Sequence, residues 1–503
     1  MGIVFTKSAN GEATCSHNSI KLHSAYDPSH EALRFVQNVT CDFQPKYILV
    51  SGAALSYCAV YFRKLYPNSI LCTIQYDADF KITEKLWDKT FYLTAEGETS
   101  APPLAEQIYS FMGEEGIVSC LFLAWQPSEK AFPAESKKAW QEIKSAVLKS
   151  RNVLATRSFF ARRWVRNSLR FCLFVKDTCY FQKGTAPVIV CASGPSLAGS
   201  LPWLKKNRGR YFLLAVSSAL RPLVNQGIIP DLCISTDGGY WAKLHLAATL
   251  KAYPQIPLAL SPESACFGEL MENCKIMPLS YGDGICEPLL SACGYSATPA
   301  SRNGTVSGTA AQLAMELTTA NVYFCGLDLA PADGYVHTQP NELEIRDSLK
   351  DTRLATQDTR LLPSSFKSVA LDIYCSWFSS HNFGGRLFRL SDNYQYKNKL
   401  GDIRDVNWDF FENTVPPKAE GLPMCFSSSR KFDFTKRYRQ LENIIKENLN
   451  NPVWIREAVP ADYIVYERSI GMESESAALK KVQNDMQGFY RDIMRAIAED
   501  KKF

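Results

Sequence analysis

The stretch "VIVCASGPSLAGSLPWL", from Val188 to Leu204, passes from a short apolar run through Ser193, Gly194, Pro195 and Ser196 into the start of a helix. Residues of these types in this order suit an oxyanion. Gly194 lets backbone approach a ligand closely, Pro195 suits the first turn of a helix, and Ser196 puts a hydroxyl at the positive end of the helix dipole. A second stretch, "NGTVSGT", places Asn303, Gly304, Thr305, Ser307, Gly308 and Thr309 at the opening of a helix that carries Gln312 and Met315. Two convergent helix N-termini of this kind would clamp a nucleotide phosphodiester. Neither contains the GKS or GKT of a Walker loop, so ATP hydrolysis by the P-loop mechanism is not expected.

Other strand ends in the same region carry polar residues as well. Ser217 and Ser218 follow "YFLLAV", Asp237 lies in "STDGGYW", "SPES" ends a further strand, and Asp328, Tyr335 and His337 lie in "GLDLAPADGYVHT". Ligands bind beyond the carboxyl ends of the strands in an open parallel sheet, so these residues are expected to face one crevice. His337 is the candidate general base, with His381 in "FSSHNFGG" as its rival. For either, an ordinary hydrogen-bonded or surface histidine is the plainer alternative. Asp328 either binds a ribose or caps its own loop. "STDGG" holds one acid rather than paired carboxylates, so no essential metal is expected.

Positioning these groups requires a sheet. "VIVCA", "YFLLAVS", "DLCIST", "PLALSP", "CKIMPLS" and "NVYFCGLDLA" alternate with helical stretches such as "TAAQLAMELTTA", which implies a mostly parallel sheet covered on both faces. An earlier block, "KYILVSGAALSYCAVYFRKLYPNSILCTIQYD", reads as a βαβ unit ending on Asp77. Its first turn keeps Gly52 alone of the three glycines of a dinucleotide site, so a structural or vestigial Rossmann layer is preferred to a working one.

Between the blocks lies "RNVLATRSFFARRWVRNSLR", whose Arg162, Arg163, Arg166 and Arg170 share roughly one helical face. It is either a docking face for something acidic or a solvated connector; the connector is preferred. Near the C-terminus, Tyr438, Leu441, Ile445 and Leu449 recur at helical spacing, as do Leu479, Val482, Met486, Phe489, Ile493 and Ile497. The expected fold is α/β, with two Rossmann-like parallel-sheet domains followed by a C-terminal helical region. The expected boundaries are 1–40 (N-terminal extension), 41–150 (first Rossmann-like domain), 151–182 (Arg-rich connector), 183–400 (central domain) and 401–503 (helical domain).

Bulk properties exclude little but guide the rest. A chain of 503 residues exceeds one ordinary core, and a formal net charge of +5 over that length does not by itself suggest nucleic acid or a membrane as partner. Sixteen cysteines contain no CxxC pair, which points to buried thiols in a reduced, cytoplasmic protein rather than to zinc or disulfides. Apolar runs such as "VSCLFLAW" are too short to span a bilayer. Gly2 and Thr6 fit the loose N-myristoylation pattern, for which coincidence is the plainer reading.

"VIVCASGPSL", "LLAVSSALRPLVNQGIIPDLCISTDGG" and "NGTVSGTAAQLAMELTTANVYFCGLDLA" together resemble the central domain of the motility accessory factor (Maf) flagellin glycosyltransferases, and "SAYDPSHEALRFV" looks like the opening of the same family. Through that domain the chain is also similar to the bacterial sialyltransferases. The resemblance implies transfer of a nonulosonic acid, such as pseudaminic or legionaminic acid, from a CMP-activated donor to Ser or Thr hydroxyls of flagellin, in the service of flagellar assembly and motility. It implies that Ser193, Gly194 and Ser196 face the nucleotide and that Ser217 or Ser218 lies near base or ribose. Asp237 would lie near the sugar, Thr305 would touch the donor, and Tyr335 would meet the leaving phosphate. The sialyltransferase turn more often carries Asn where this chain has Ser193. Two other readings stay open: an ATP-dependent transferase like the hydroxymethylpterin diphosphokinases, and a non-catalytic flagellin-binding accessory factor. Nucleic-acid binding through the Arg151–Arg170 stretch is the least favoured.

Overall fold

The computed structural model describes residues 2–93, 102–329, 337–356, 369–392, 399–429 and 433–500. The chain divides into two compact units. One comprises Met1–Ala161 and Ala458–Phe489, the other Arg162–Glu457 and Tyr490–Phe503.

The first unit opens with a small antiparallel sheet of β1 (Val4–Lys7), β2 (Ala13–His17) and β3 (Ile20–Lys21). Helix α1 (Pro28–Gln37) follows, and its N-cap is Asp27, whose carboxylate accepts from the His30 amide. Four parallel strands come next: β4 (Tyr47–Ser51), β5 (Ile70–Gln75), β6 (Lys89–Tyr92) and β7 (Cys120–Ala124), in the order β6-β5-β4-β7. All five residues of β4 are buried, as a strand covered on both faces requires, with α2 (Tyr57–Leu65) making the first crossover.

The turn after β4 is closed by the protein's own side chains. Gly52 has a φ of +70°, and a Cβ there would come within 2.7 Å of the Tyr76 ring and 2.8 Å of Ser128 Cβ. Tyr76 in turn shares a hydrogen bond with the Ser51 hydroxyl at 2.9 Å. Asp77 accepts from the Asp79 amide and so caps the next turn.

Helices α3 (Leu104–Val118), α4 (Gln126–Ala131) and α5 (Pro133–Phe174) follow. The last runs for 42 residues and contributes to both units, because the Arg-rich stretch is part of one continuous helix.

The second unit is built on a large sheet. Its strands are β8 (Asp177–Gln182), β9 (Val188–Cys191), β10 (Phe212–Val216), β11 (Leu232–Ser235), β12 (Leu258–Leu260), β13 (Ile276–Ser280), β14 (Thr298–Pro299), β15 (Val322–Cys325), β16 (Leu387–Leu390), β17 (Arg404–Val406) and β18 (Met424–Ser429). The order is β17-β16-β15-β9-β10-β11-β12-β13-β8-β18, with β14 paired to β13. All pairings are parallel except that of β18 with β8. Strands β9 to β12 are fully buried, which matches their unbroken apolar sequences. The chain moves from β9 through β10 to β13 in one direction, then returns to β15 on the other side of β9, so the topological switch point lies between β9 and β15. The α/β class with two parallel sheets, read from the alternation of strands and helices, therefore holds.

Residues 401–503, read above as helical, are shared between the units and hold two strands, β17 and β18, with the short helix Trp408–Thr414 between them. The helices that follow include Phe434–Glu447, which buries Leu441 and Ile445, and Glu475–Asp500, which buries Val482, Met486, Phe489, Ile493 and Ile497.

Candidate functional site at the switch point

At the carboxyl ends of β9 and β15 the two strand ends are stitched by backbone hydrogen bonds. The Ala192 amide donates to the Cys325 carbonyl at 2.9 Å and the Gly194 amide to the Gly326 carbonyl at 3.0 Å. A glycine is needed at 194 because a Cβ there would collide with the Asp328 carboxylate and the Gly326 carbonyl. Asp328 lies against the turn that leads into α6 (Leu197–Lys206). The Ser196 hydroxyl donates to its Oδ2 at 2.8 Å, and the Ser196 amide faces both carboxylate oxygens at 3.3 Å. Ser196 thus spends its hydroxyl and its amide on a carboxylate of this chain, in the place the sequence suggested for a phosphate. Burial pushes the Asp328 carboxyl above the usual carboxylate range, opposed by the bonds from Ser196 and by the Arg389 guanidinium.

Ser193 looks the other way, toward β10. The Ser218 hydroxyl donates to Ser193 Oγ at 2.7 Å, and both strand ends are tied to the segment at 337–342. From that segment Thr338 donates its amide to the Ser193 carbonyl at 2.8 Å and its hydroxyl to the Gly194 carbonyl at 2.7 Å. Asn341, the N-cap of α12 (Glu342–Ser348), reaches the Ser218 carbonyl at 3.4 Å. Arg221 pairs with Glu342 at 2.5 Å. His337 is therefore anchored next to the residue whose bonds hold the GPSL turn. Its Nδ1 lies 3.8 Å from Glu344 Oε1, and its ring is 6.4 Å from that of His245 on α8 (Leu244–Ala252). Burial, and then the neighbouring His337, lower the pKa of His245 to about 4. Ser217 is buried at the start of a short turn, and Pro195 accepts from the Ala198 amide at 3.2 Å.

The second cradle opens α11 (Val306–Leu317), which packs on β9, β10 and β11 and points its N-terminus to the same sheet edge. Thr305 is the N-cap and accepts from the Ser307 amide at 3.3 Å. Asn303 is buried, and its amide donates to Gln312 at 3.0 Å. Gly304 has a φ of +70° and faces the Tyr374 ring, 3.7 Å from where its Cβ would be. Tyr374 lies on α13 (Val369–Ser380); burial and the negative charge of Asp237 raise its phenol pKa, so Asp237, Gly304 and Tyr374 form one neighbourhood. Asp237 itself is exposed and accepts from the Gly239 amide at 2.7 Å. Next to it, Arg302 makes a two-pronged pair with the buried Glu263 at 2.6 Å for both contacts, and a second pair with Asp283 at 2.9 Å.

Hydroxyls in the loop after β12 and in the first turn of α11 hold neighbouring backbone. Ser264 donates to the Ser235 carbonyl at 3.0 Å, and Thr309 to the Ser301 carbonyl at 3.4 Å. His381 has its Nδ1 at 2.8 Å from the Trp377 carbonyl and its ring 4.0 Å from the Trp377 ring, which also packs on Gly308. Tyr335 lies outside the described residues. The residues that the sequence did not single out are Thr338 and Glu263, which lie within quoted strand-end stretches, together with Arg302 and Tyr374. Arg302 adjoins "NGTVSGT" and was within reach of that motif; Tyr374 sits in a helix with no spacing that marks it.

The fold and this arrangement define an α/β protein with its polar residues gathered at the switch point of a parallel sheet, the usual place for a nucleotide or phosphorylated ligand. Over 99% of its length the chain is similar in structure to the MAf glycosyltransferase from Magnetospirillum magneticum AMB-1, of which it covers 92%, with a TM-score of 0.54 and 11% identity. The fold is shared, and the likeness read in "VIVCASGPSL" and its companion stretches stands at that level. The family model for the 6-hydroxymethylpterin diphosphokinase MptE-like domain matches residues 167–334. An uncharacterized protein of Treponema pallidum (strain Nichols) is 28% identical over 291 residues, 57% of this chain and 63% of that protein, so the chain aligns to less than two thirds of that relative's length.

Proposed function

We propose that this protein is a glycosyltransferase that moves a nonulosonic acid of the pseudaminic or legionaminic type from a CMP-activated donor to Ser or Thr hydroxyls of flagellin in the cytoplasm. The observation that carries the reading is the reach of the fold likeness: it runs along nearly the whole chain, whereas the diphosphokinase-like match covers the central third alone. In the reaction the acceptor oxygen bonds to the anomeric carbon and the bond from that carbon to the phosphate oxygen breaks. The electron pair leaves with CMP, and the acceptor proton goes to a base. On this reading Ser193, Ser218 and Thr305 contact the nucleotide, Asp237 and Tyr374 line the sugar side, and His337, held by Glu344, takes the proton. Tyr335 keeps its proposed role on the leaving phosphate. Ser196 and Gly194 serve by holding Asp328, which is placed to accept from a ribose hydroxyl. The scheme needs no cofactor beyond the donor.

Two experiments test it. Intact-mass analysis of the host's flagellin should show a loss of nonulosonate mass when this protein is deleted, and an unchanged mass would sink the proposal. Thermal protection by CMP or CTP, weakened by Ser218→Ala, is the second expectation. Protection by ATP with magnesium instead would favour the diphosphokinase-like reading that the match at 167–334 suggests. Modification that persists when Ser218 and Thr305 are both replaced would favour a flagellin-binding accessory role.

A further inference from the structure

Behind the loop that carries Asp237 lies a cavity of about 550 Å³, within the second unit and separate from the GPSL turn. One wall is α5, which presents Arg163, Arg166 and Arg170; the facing wall carries Lys243, Tyr240 and Phe267. The spacing of three and then four residues puts those three arginines on one side of the helix. Arg162, the remaining member of the Arg-rich run, is exposed and does not line the cavity. What the sequence suggested as a solvated connector is, over these residues, a cavity wall.

Basic residues outnumber acids in the lining, with Arg163, Arg166, Arg170 and Lys243 against Glu269 and Glu272. Its two acids are engaged with lysines outside the lining: Glu269 with Lys251 at 2.6 Å and Glu272 with Lys176 at 3.2 Å. Lys243 rests its ammonium on two rings, 4.0 Å from the centre of Tyr240 and 4.6 Å from that of Phe267. Most telling is Arg166, whose Nε is buried and has no hydrogen-bond partner among the described residues. A guanidinium cannot shed its proton to escape such a position, so a buried N–H without an acceptor is a donor waiting for one. The floor is firm. The Asn167 side chain donates to the Glu263 carbonyl at 2.8 Å and reaches the Gly238 carbonyl at 3.4 Å, and the Ala265 amide donates to the Asp237 carbonyl at 2.9 Å.

We propose that this cavity binds the phosphate or diphosphate group of a small molecule, with Arg166 and Lys243 as its principal contacts. A guanidinium fork suits phosphate oxygens, and the enclosing rings and volume suit a compact ligand rather than a polymer lying on an open helix face. The site is distinct from the proposed CMP clamp and stands whether or not the transferase reading does.

Isothermal titration of the full chain with inorganic pyrophosphate tests it, with a short single-stranded oligonucleotide as a second arm. Pyrophosphate should bind the wild-type chain, and Arg166→Gln with Lys243→Gln should weaken it at least tenfold while leaving any protection by CMP in place. Arg166→Lys, which keeps the charge but removes the buried Nε donor, should lie between the two and controls for folding, as does an unchanged melting profile. Ser218→Ala should bind pyrophosphate like the wild type. Absence of pyrophosphate binding, or binding that ignores Arg166 and Lys243, overturns the proposal. Tight oligonucleotide binding without pyrophosphate binding would overturn it in favour of a nucleic-acid face.

Discussion

Ser196→Ala separates a serine that holds Asp328 from one that holds a ligand. The Ser196 hydroxyl donates to Asp328 Oδ2 at 2.8 Å, and once that hydroxyl is gone Ser196 still offers Asp328 the longer contacts of 3.3 Å from its amide. A hydrogen bond to a charged, largely buried acceptor is worth roughly 1.5–3 kcal/mol, and the surviving amide contacts place the expected loss near the low end, about 1.5 kcal/mol. The loss should depend on pH with a definite sign. The Ser196 bond lowers a carboxyl pKa that burial has raised, so its removal raises the folded-state value further. The variant then binds a proton more readily than the wild type when folded, and its deficit grows as pH rises through that interval and levels off above it. Urea denaturation followed by tryptophan fluorescence at a pH of about 4 and again at about 7.5 measures this. An equal deficit at both pH values, or none at either, would refute the assignment of Ser196 to Asp328.

Other outcomes follow from the same structure. Gly194→Ala should destabilise by roughly 1–3 kcal/mol and, on the proposed function, abolish any protection by CMP, because its Cβ meets a backbone carbonyl as well as Asp328; a melting curve with and without CMP checks both. Asp405→Asn should cost about 3 kcal/mol in urea denaturation, since it leaves the fully buried Arg389 without its two-pronged partner at 2.6 and 2.8 Å; Asp405 is itself 41% exposed, which keeps the cost from being larger. His245, held at about 4 rather than its usual 6.5, takes up its proton less readily folded than unfolded. Stability should therefore rise between those two values by at most about 3 kcal/mol and be flat above, and His245→Phe should flatten the rise; an unchanged pH profile in the variant would count against it.

Where the sequence could be read and where it could not has a physical pattern. The runs "VIVCA" and "YFLLAVS" announced buried parallel strands because a strand covered on both faces must be apolar throughout. "LFRL" did not, because Arg389 interrupts it, and its charge is tolerable there through partners such as the Asp405 carboxylate on the neighbouring strand, which the run itself does not show. Strand β18, "MCFSSS", is exposed along its length at the edge of the sheet and so carries no burial pattern to read. The arginines of "RNVLATRSFFARRWVRNSLR" showed their helical face, but which surface that face would meet depends on Lys243 and Phe267, some eighty to a hundred residues away in the chain.

By itself, then, the sequence determined the local matters: two layers of parallel strands, the turns at Ser193–Ser196 and Asn303–Thr305, and the crowding of small polar residues at strand ends. These depend on periodicity and on backbone demands that act over a few residues. Tertiary structure alone decided the partners. It put Asp328 rather than an open anion site against Ser196, joined Ser193 to Ser218, brought Tyr374 to Asp237 and Gly304, and closed the first-layer turn with Tyr76. Such pairings join strand ends far apart in the chain, and a hydroxyl in a sequence does not say whether it will satisfy a neighbour or await a ligand.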